Sequence, residues 1–272
     1  MHIVDQLIEE RAERLMRRPL VWRMVRTLLY PALGYREAIR LIDRVQAMSA
    51  LEVFEHLSEL LAMRVACEGL EHVPERGVAV VTPNHPAGIA DGIAVFDALR
   101  QVRRDITFFA NRDAIRAAPR LADMIVPVEW VAERRSHDRN RETVRHMARA
   151  FGESRLIVIF PSGRLARPTP TGLVEREWMP SAVNLAQRYG APIVPMHIRA
   201  RNSWLYYLFY LVDQELRDMT LFRELLNKRG HPYRIRVGEP FRPEGDARAL
   251  TCALRRFVAE DMPRGARRFT PP

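Results

Sequence analysis

Two short stretches of this chain carry residue types suited to proton and anion chemistry. The first is Thr82-Pro83-Asn84-His85-Pro86-Ala87-Gly88-Ile89-Ala90-Asp91-Gly92, directly after the apolar run Val78-Ala79-Val80-Val81. Imidazole titrates near neutrality and can take a proton from a hydroxyl or a thiol. A carboxylate such as Asp91 can hold the proton of one ring nitrogen and turn the other toward a substrate. Pro83 and Pro86 stiffen the turn around Asn84 and His85, while Gly88 and Gly92 admit backbone shapes that other residues resist. The same residues also fit a structural role, with His85 capping a loop and Asp91 opening the next helix.

The second stretch is Pro161-Ser162-Gly163-Arg164-Leu165-Ala166-Arg167, which follows Leu156-Ile157-Val158-Ile159-Phe160. It offers a hydroxyl, backbone amides freed by Gly163 and two arginines, the parts of a phosphate cradle. It is not a P-loop, because no GxxxxGK[ST] string occurs. The plainer alternative is a solvated loop whose arginines meet helix ends or surface carboxylates.

The remaining reactive residues point elsewhere. His2, His56, His72, His137, His146, His197 and His231 lack such a frame and read as surface or structural residues; His197 stands inside a strand run. Cys67 and Cys252 are too few for a disulfide scaffold or a four-thiolate zinc site and suggest a reducing compartment. No HExxH spacing occurs, so no metal is implied. Across 272 residues, 43 basic against 33 acidic side chains give a net charge of +10. Lys228 is the only lysine, so nearly all of the positive charge is arginine. Such a balance favours polyanions, namely nucleic acid, anionic lipid or phosphorylated substrates. Arginine-rich codon usage accounts for it equally well. No RNP motif, helix-turn-helix signature or zinc finger supports a nucleic-acid partner.

The elements that must position these loops read as α/β, a largely parallel central sheet flanked by helices, with an N-terminal helical extension. Residues 1–65 form that extension, with helices broken near Pro19 and Pro31, and 66–272 form the α/β domain. Strand runs are expected at Gly77–Thr82, Ile106–Ala110, Met124–Val128, Arg155–Phe160, Pro192–Ile198 and Tyr233–Val237. Helices are expected at Asp91–Val102, Ser136–Phe151, Ser181–Tyr189 and Ala247–Met262. Such sheets place sites at the carboxyl ends of strands. Leu20–Tyr30 has a broad apolar face and a narrow stripe of Arg23, Arg26 and Thr27. It suits either the membrane interface or a helix packed on the main domain. The apolar run Trp204–Val212 is too short to span a bilayer, which takes about 20 residues. The N-terminus lacks the apolar core of a signal peptide. Together these features predict a cytoplasmic protein, peripheral on the inner face of the cell membrane and bound to an anionic membrane surface.

The two loops together resemble the lysophospholipid/glycerolipid acyltransferase superfamily, the PlsC-like enzymes. That superfamily pairs an NH-x-x-x-x-D loop with a later FPEG loop and a VP-x-x-I strand. The counterparts here are Asn84-His85 to Asp91, Phe160-Pro161-Ser162-Gly163, and Val194-Pro195-Met196-His197-Ile198. Arg201-Asn202-Ser203 with the aromatic run after it, and Arg223 to Gly230, are similar to the hemolysin-like branch that includes ornithine-lipid O-acyltransferases. The chain departs from the pattern in four places. One more residue separates His85 from Asp91 than in most members, Ser162 stands where the FPEG glutamate would be, Leu165 stands where the family has an arginine, and the usual arginine of the second motif has no clear counterpart near Met124 to Glu129.

The resemblance implies acyl transfer from acyl-CoA or acyl-carrier protein to the hydroxyl of a lysolipid acceptor. His85 would be the general base and Asp91 its orienting acid, with no cofactor. Phe160, Pro161, Ser162, Gly163 and Arg164 would bind substrate, with Arg167 an alternative to Arg164. Asn111 and Arg112, after the run ending at Ala110, are further candidates. The competing expectation is a non-catalytic lipid-binding or regulatory protein on the same fold, favoured by the altered FPEG loop and the long His–Asp spacing.

Overall fold

Apolar runs bounded by proline and glycine become the strands of a seven-stranded sheet in the computed structural model, which describes residues 1–129 and 137–272. The helices α1 (Ile3–Glu9), α2 (Glu13–Met16), α3 (Pro19–Ala32), α4 (Tyr35–Val45) and α5 (Ala50–Leu61) come first. Pro19 opens α3 at a position where its missing N–H costs nothing, and Pro31 lies in the last turn. A capping box starts α5: Ser49 Oγ accepts the Glu52 N–H at 3.3 Å, and Glu52 accepts the Ser49 N–H at 2.7 Å.

The chain then runs β1 (Arg64–Glu68), β2 (Ala79–Pro83), α6 (Ile89–Leu99), β3 (Ile106–Asn111), α7 (Asp113–Ala117), β4 (Ile125–Val128), α8 (His137–Gly152) and β5 (Leu156–Val158). A hairpin of β6 (Arg167–Thr169) and β7 (Gly172–Val174) follows, then α9 (Ser181–Arg188) and β8 (Ile193–Arg199). Three helices, α10 (Trp204–Val212), α11 (Gln214–Met219) and α12 (Leu221–Leu226), lead to β9 (Pro232–Val237) and α13 (Ala247–Arg256).

The sheet order is β1-β9-β8-β2-β5-β3-β4. The five strands β8, β2, β5, β3 and β4 are parallel, and β9 turns antiparallel to β8 while pairing parallel with β1. The expected strands and helices are present among the described residues; Ser136, where one helix was expected to begin, lies outside them. The extended turn continuing α13 over Phe257–Asp261 is a π-helix rather than more α-helix. The edge strand β1, the hairpin and the pair α11–α12 had no counterpart among the expected elements.

Strand alternation explains why both faces of the sheet are buried. Ala79 and Val81 of β2 join the hydrophobic cluster that holds α4, α5 and α6, and Val80 joins the one that holds α9 and α13. Phe54 of α5 stacks on Phe96 of α6 and Phe108 of β3, each at 5.0 Å between ring centroids. The N-terminal helices share this cluster through Val4, Leu7 and Ile42, and Arg11 and Arg116 clamp them to α7 through Asp113 and Glu10. The two faces of α3 differ. Tyr30 is buried, Trp22, Val25 and Leu29 pack on the core, and Leu20, Met24 and Leu28 stand exposed in one row.

Candidate active site

Strands β2 and β5 are neighbours, so the loops leaving their carboxyl ends meet. Asn84 continues the sheet with its side chain. Its Nδ2 donates to the Ile198 carbonyl at 3.0 Å and its Oδ1 accepts the Ile198 N–H at 2.6 Å. This amide rung fixes the backbone one residue before His85.

The His85 ring contacts Asp91 through Nδ1, 2.9 Å from Oδ2. The same oxygen accepts the N–H groups of Ala87 at 2.8 Å and Gly88 at 3.0 Å. Gly88 has φ 86° and ψ −139°, a backbone region open essentially to glycine, and this bend folds the loop back over the first turn of α6. Asp91 therefore caps the helix and orients the imidazole at once, so the two readings of this residue describe one carboxylate. A carboxylate accepts, so in the neutral ring the proton sits on Nδ1 and the lone pair on Nε2. No described residue bonds to Nε2. The His85 side chain is 18% exposed while that of Asp91 is fully buried, and the ring rests on Phe160 at 4.4 Å between centroids.

The second loop is tied to the first. Ala166 N–H donates to the His85 carbonyl at 2.8 Å. Gly163 takes φ 58°, and the Ser162 hydroxyl donates to the Arg164 carbonyl at 2.8 Å, which closes the turn. Pro161 and Ser162 are buried, and Arg164 and Arg167 project into solvent with no carboxylate partner among the described residues. At the end of β3, Asn111 Oδ1 accepts the Asp113 N–H at 2.9 Å and Arg112 pairs with Glu142. Both are thus engaged in capping α7 and in joining it to α8.

Sequence reasoning missed Glu175. This residue follows β7, is 6% exposed, and stands where the two loops join. Its Oε2 accepts the His85 N–H at 3.3 Å and its Oε1 accepts the Trp178 indole N–H at 3.0 Å. Burial pushes its carboxyl above the ordinary glutamate value, and the Trp178 and His85 N–H donors oppose that shift. A carboxylate thus lies beside Ser162, reached from ninety residues beyond His85, and no local pattern marks it.

The chain is 24% identical over 197 residues to the lyso-glycine lipid O-acyltransferase of Phocaeicola vulgatus, covering 70% of this chain and 68% of that protein. It is 22% identical over 197 residues to the lyso-glycine lipid O-acyltransferase of Bacteroides thetaiotaomicron, covering 70% of each. The crystal structure of the 1-acyl-sn-glycerophosphate (LPA) acyltransferase PlsC from Thermotoga maritima aligns with a TM-score of 0.47 and 17% identity, over 93% of this chain and 97% of that one. Residues 64–199, from β1 through β8, match the family described as Acyltransferase, and the chain belongs to it.

Proposed function

We propose that this acyltransferase moves a fatty acyl group from a thioester, acyl-CoA or acyl-carrier protein, to the hydroxyl of a lysolipid. The observation that carries the reading is the His85–Asp91 pair, with Nδ1 held by a buried carboxylate and Nε2 open. His85 Nε2 takes the proton as the acceptor hydroxyl attacks the thioester carbonyl. The imidazolium then gives that proton to the departing thiolate. Asp91 stabilises the imidazolium without itself moving a proton. The thioester is already activated, so no acyl-enzyme nucleophile is needed, and no GxSxG elbow occurs in the chain. Arg164, with the amides near Gly163, holds an anionic group of one of the two substrates. The named relatives act on a lyso-glycine lipid, which favours an acceptor with an amino-acid headgroup over a simple phosphomonoester.

A lipid acceptor must be drawn from a membrane. Among the described residues no helix is long and apolar enough to cross one. Exposed apolar rows on α3 (Leu20, Met24, Leu28) and α10 (Trp204, Leu208, Leu211) suit attachment to the surface, with Arg23 and Arg26 beside the first row to meet anionic lipid.

The test is His85→Ala with a lysolipid and radiolabelled acyl-CoA. Loss of the base should lower turnover by about 10²–10⁴-fold. Turnover near that of the wild type overturns the assignment.

A further inference from the structure

A cavity of about 1000 Å³ opens at the carboxyl end of β8, between that strand, the start of β9 and the β6–β7 hairpin. It is separate from the His85 loop, but Tyr233 connects the two. Tyr233 lines the cavity, is 1% exposed, and sits close enough to Asp91 that burial and the carboxylate together push its phenol pKa upward.

One buried donor on the cavity wall lacks a partner. Asn202 is 6% exposed, and its Oδ1 accepts from the Lys228 ammonium at 3.3 Å. That bond fixes which way the amide points and leaves Nδ2, a donor, buried with no partner. The Tyr233 hydroxyl is also buried, but it lies by Asp91, so it is not counted among the free donors of the cavity. Lys228 itself is spent: its three protons go to Glu224 at 3.1 Å, Asn227 at 2.9 Å and Asn202. Glu224 is saturated as well, accepting from Ser203 through both the backbone N–H and the hydroxyl. This internal ion pair therefore adds no net charge to the cavity, and its effect is to hold Asn202 in place.

The rim adds charge. Arg199 of β8 stands directly opposite Arg234 of β9 in the antiparallel register, and both line the cavity along with Arg201. Among the described residues none of the three has a carboxylate partner. Like charges facing each other across a strand pair destabilise it, and a buried donor without a partner costs more. One ligand relieves both: an oxyanion that accepts from the Asn202 amide and sits between the guanidinium groups.

We propose that this cavity is a headgroup subsite, whose donors hold the oxyanion, carboxylate or phosphate, of the lysolipid acceptor that is acylated at His85. The assignment rests on the lysolipid reading above and leaves the Arg164 loop to the donor. The cavity's apolar wall, with Pro168, Leu173 and Pro232, matches the amphiphilic character of such a ligand.

The test measures binding without the donor, by titration calorimetry, using a short-chain N-(hydroxyacyl)glycine, its methyl ester, a short-chain lysophosphatidate and acyl-CoA as probes. Wild-type protein should bind the glycine acid or the lysophosphatidate and discriminate against the ester; whichever anion is preferred identifies the headgroup. Arg199→Ala combined with Arg234→Ala should weaken the preferred anion by about 10–100-fold and leave the ester and acyl-CoA unchanged. Arg199→Ala alone should raise the melting temperature, because it removes a like-charge pair, whereas loss of an arginine that holds the fold together would lower it. Equal affinity for the acid and its ester without tighter binding of the lysophosphatidate, no measurable binding of either anion, or a loss confined to acyl-CoA would overturn the subsite. Intact anion binding without acylation of any lysolipid would leave the subsite standing and overturn the catalytic reading instead.

Discussion

His85, in the loop just past β2, and His197, within the adjoining strand β8, have opposite surroundings. Pro83 pairs with Met196 across β2 and β8, so His197 lies next to the position of Asn84. The His197 Nδ1 meets the Val258 carbonyl at 2.9 Å. Burial first, then the nearby Arg236 and Arg199 charges, push its pKa down to about 4, so the ring is neutral near pH 7. His85 instead places Nδ1 on a buried carboxylate and leaves Nε2 open. A carbonyl orients an imidazole as firmly as a carboxylate does, but only the carboxylate brings a full negative charge to stabilise the imidazolium. A strand-end position therefore does not by itself set the proposed base apart from a structural histidine. The partner on one nitrogen and space at the other decide it.

Asp91→Asn attacks that contrast at its strongest point. Asparagine can still accept from the Ala87 and Gly88 amides and so keep the α6 cap, while the imidazolium loses its counter-charge. Turnover should fall by about 10²–10⁴-fold, or roughly 3–5 kcal/mol, with the melting curve retained. Wild-type turnover in a folded Asp91→Asn protein would reduce Asp91 to a cap. His197→Gln probes the other ring. An unfolded imidazole binds its proton near pH 6.5 and the folded one only near 4. Between those values protonation favours the unfolded chain. The contribution of His197 is therefore complete above pH 6.5 and is lost as pH falls toward 4, by about 3 kcal/mol. Urea unfolding of His197→Gln should show a flatter dependence across that window, with turnover at neutral pH unchanged. A slope equal to that of the wild type would place the acid sensitivity elsewhere.

The His85 corner was legible in the sequence because its bonds are short in range. Asp91 lies six positions from His85, and Gly88 and the two prolines signal the bend that brings them together. The strands β2, β5 and β8 were legible because burial on both faces demands continuous apolar runs, stopped here by Pro83, Pro161 and the turn after β8. What stayed hidden depends on distance along the chain. Asn84 reaches Ile198 across 114 positions, and Glu175 reaches His85 across ninety. Strand β1, Arg-Val-Ala-Cys-Glu, is charged at both ends and half-exposed at the sheet edge, so it lacks an apolar run. The hairpin strands are three residues each and carry Pro168, which local propensity reads as loop.

Glu175 sharpens the point, because a residue with no motif stands at the junction of the two loops. Glu175→Ala leaves the His85 N–H and the Trp178 indole N–H buried without acceptors, at about 1–3 kcal/mol for a lost partner. If Glu175 positions His85, kcat should fall by about 10–100-fold with little change in either KM, and the acid limb of the pH–rate profile should move as the ring shifts against Asp91. Glu175→Gln, which keeps one acceptor, should recover part of the loss. A fall in melting temperature alone, with kcat and the pH profile intact, would make Glu175 a strut of the fold and nothing more.

Arg164 offers the smallest effect and the sharpest division between the two substrates. It is exposed and has no carboxylate partner among the described residues, so solvent screens whatever it binds and the fold does not depend on it. With the acceptor oxyanion held at Asn202, Arg199 and Arg234, the Arg164 loop is left for the phosphates of the donor. Arg164→Ala should then raise the KM for acyl-CoA by about tenfold, at the low end for a charge-assisted hydrogen bond. The acceptor KM and kcat should stay where they were. A rise in the acceptor KM instead would bring the headgroup back to this loop and set it against the β8 cavity. Unchanged kinetics for both substrates would remove Arg164 from the site and return the loop to the solvated role that its composition also allows.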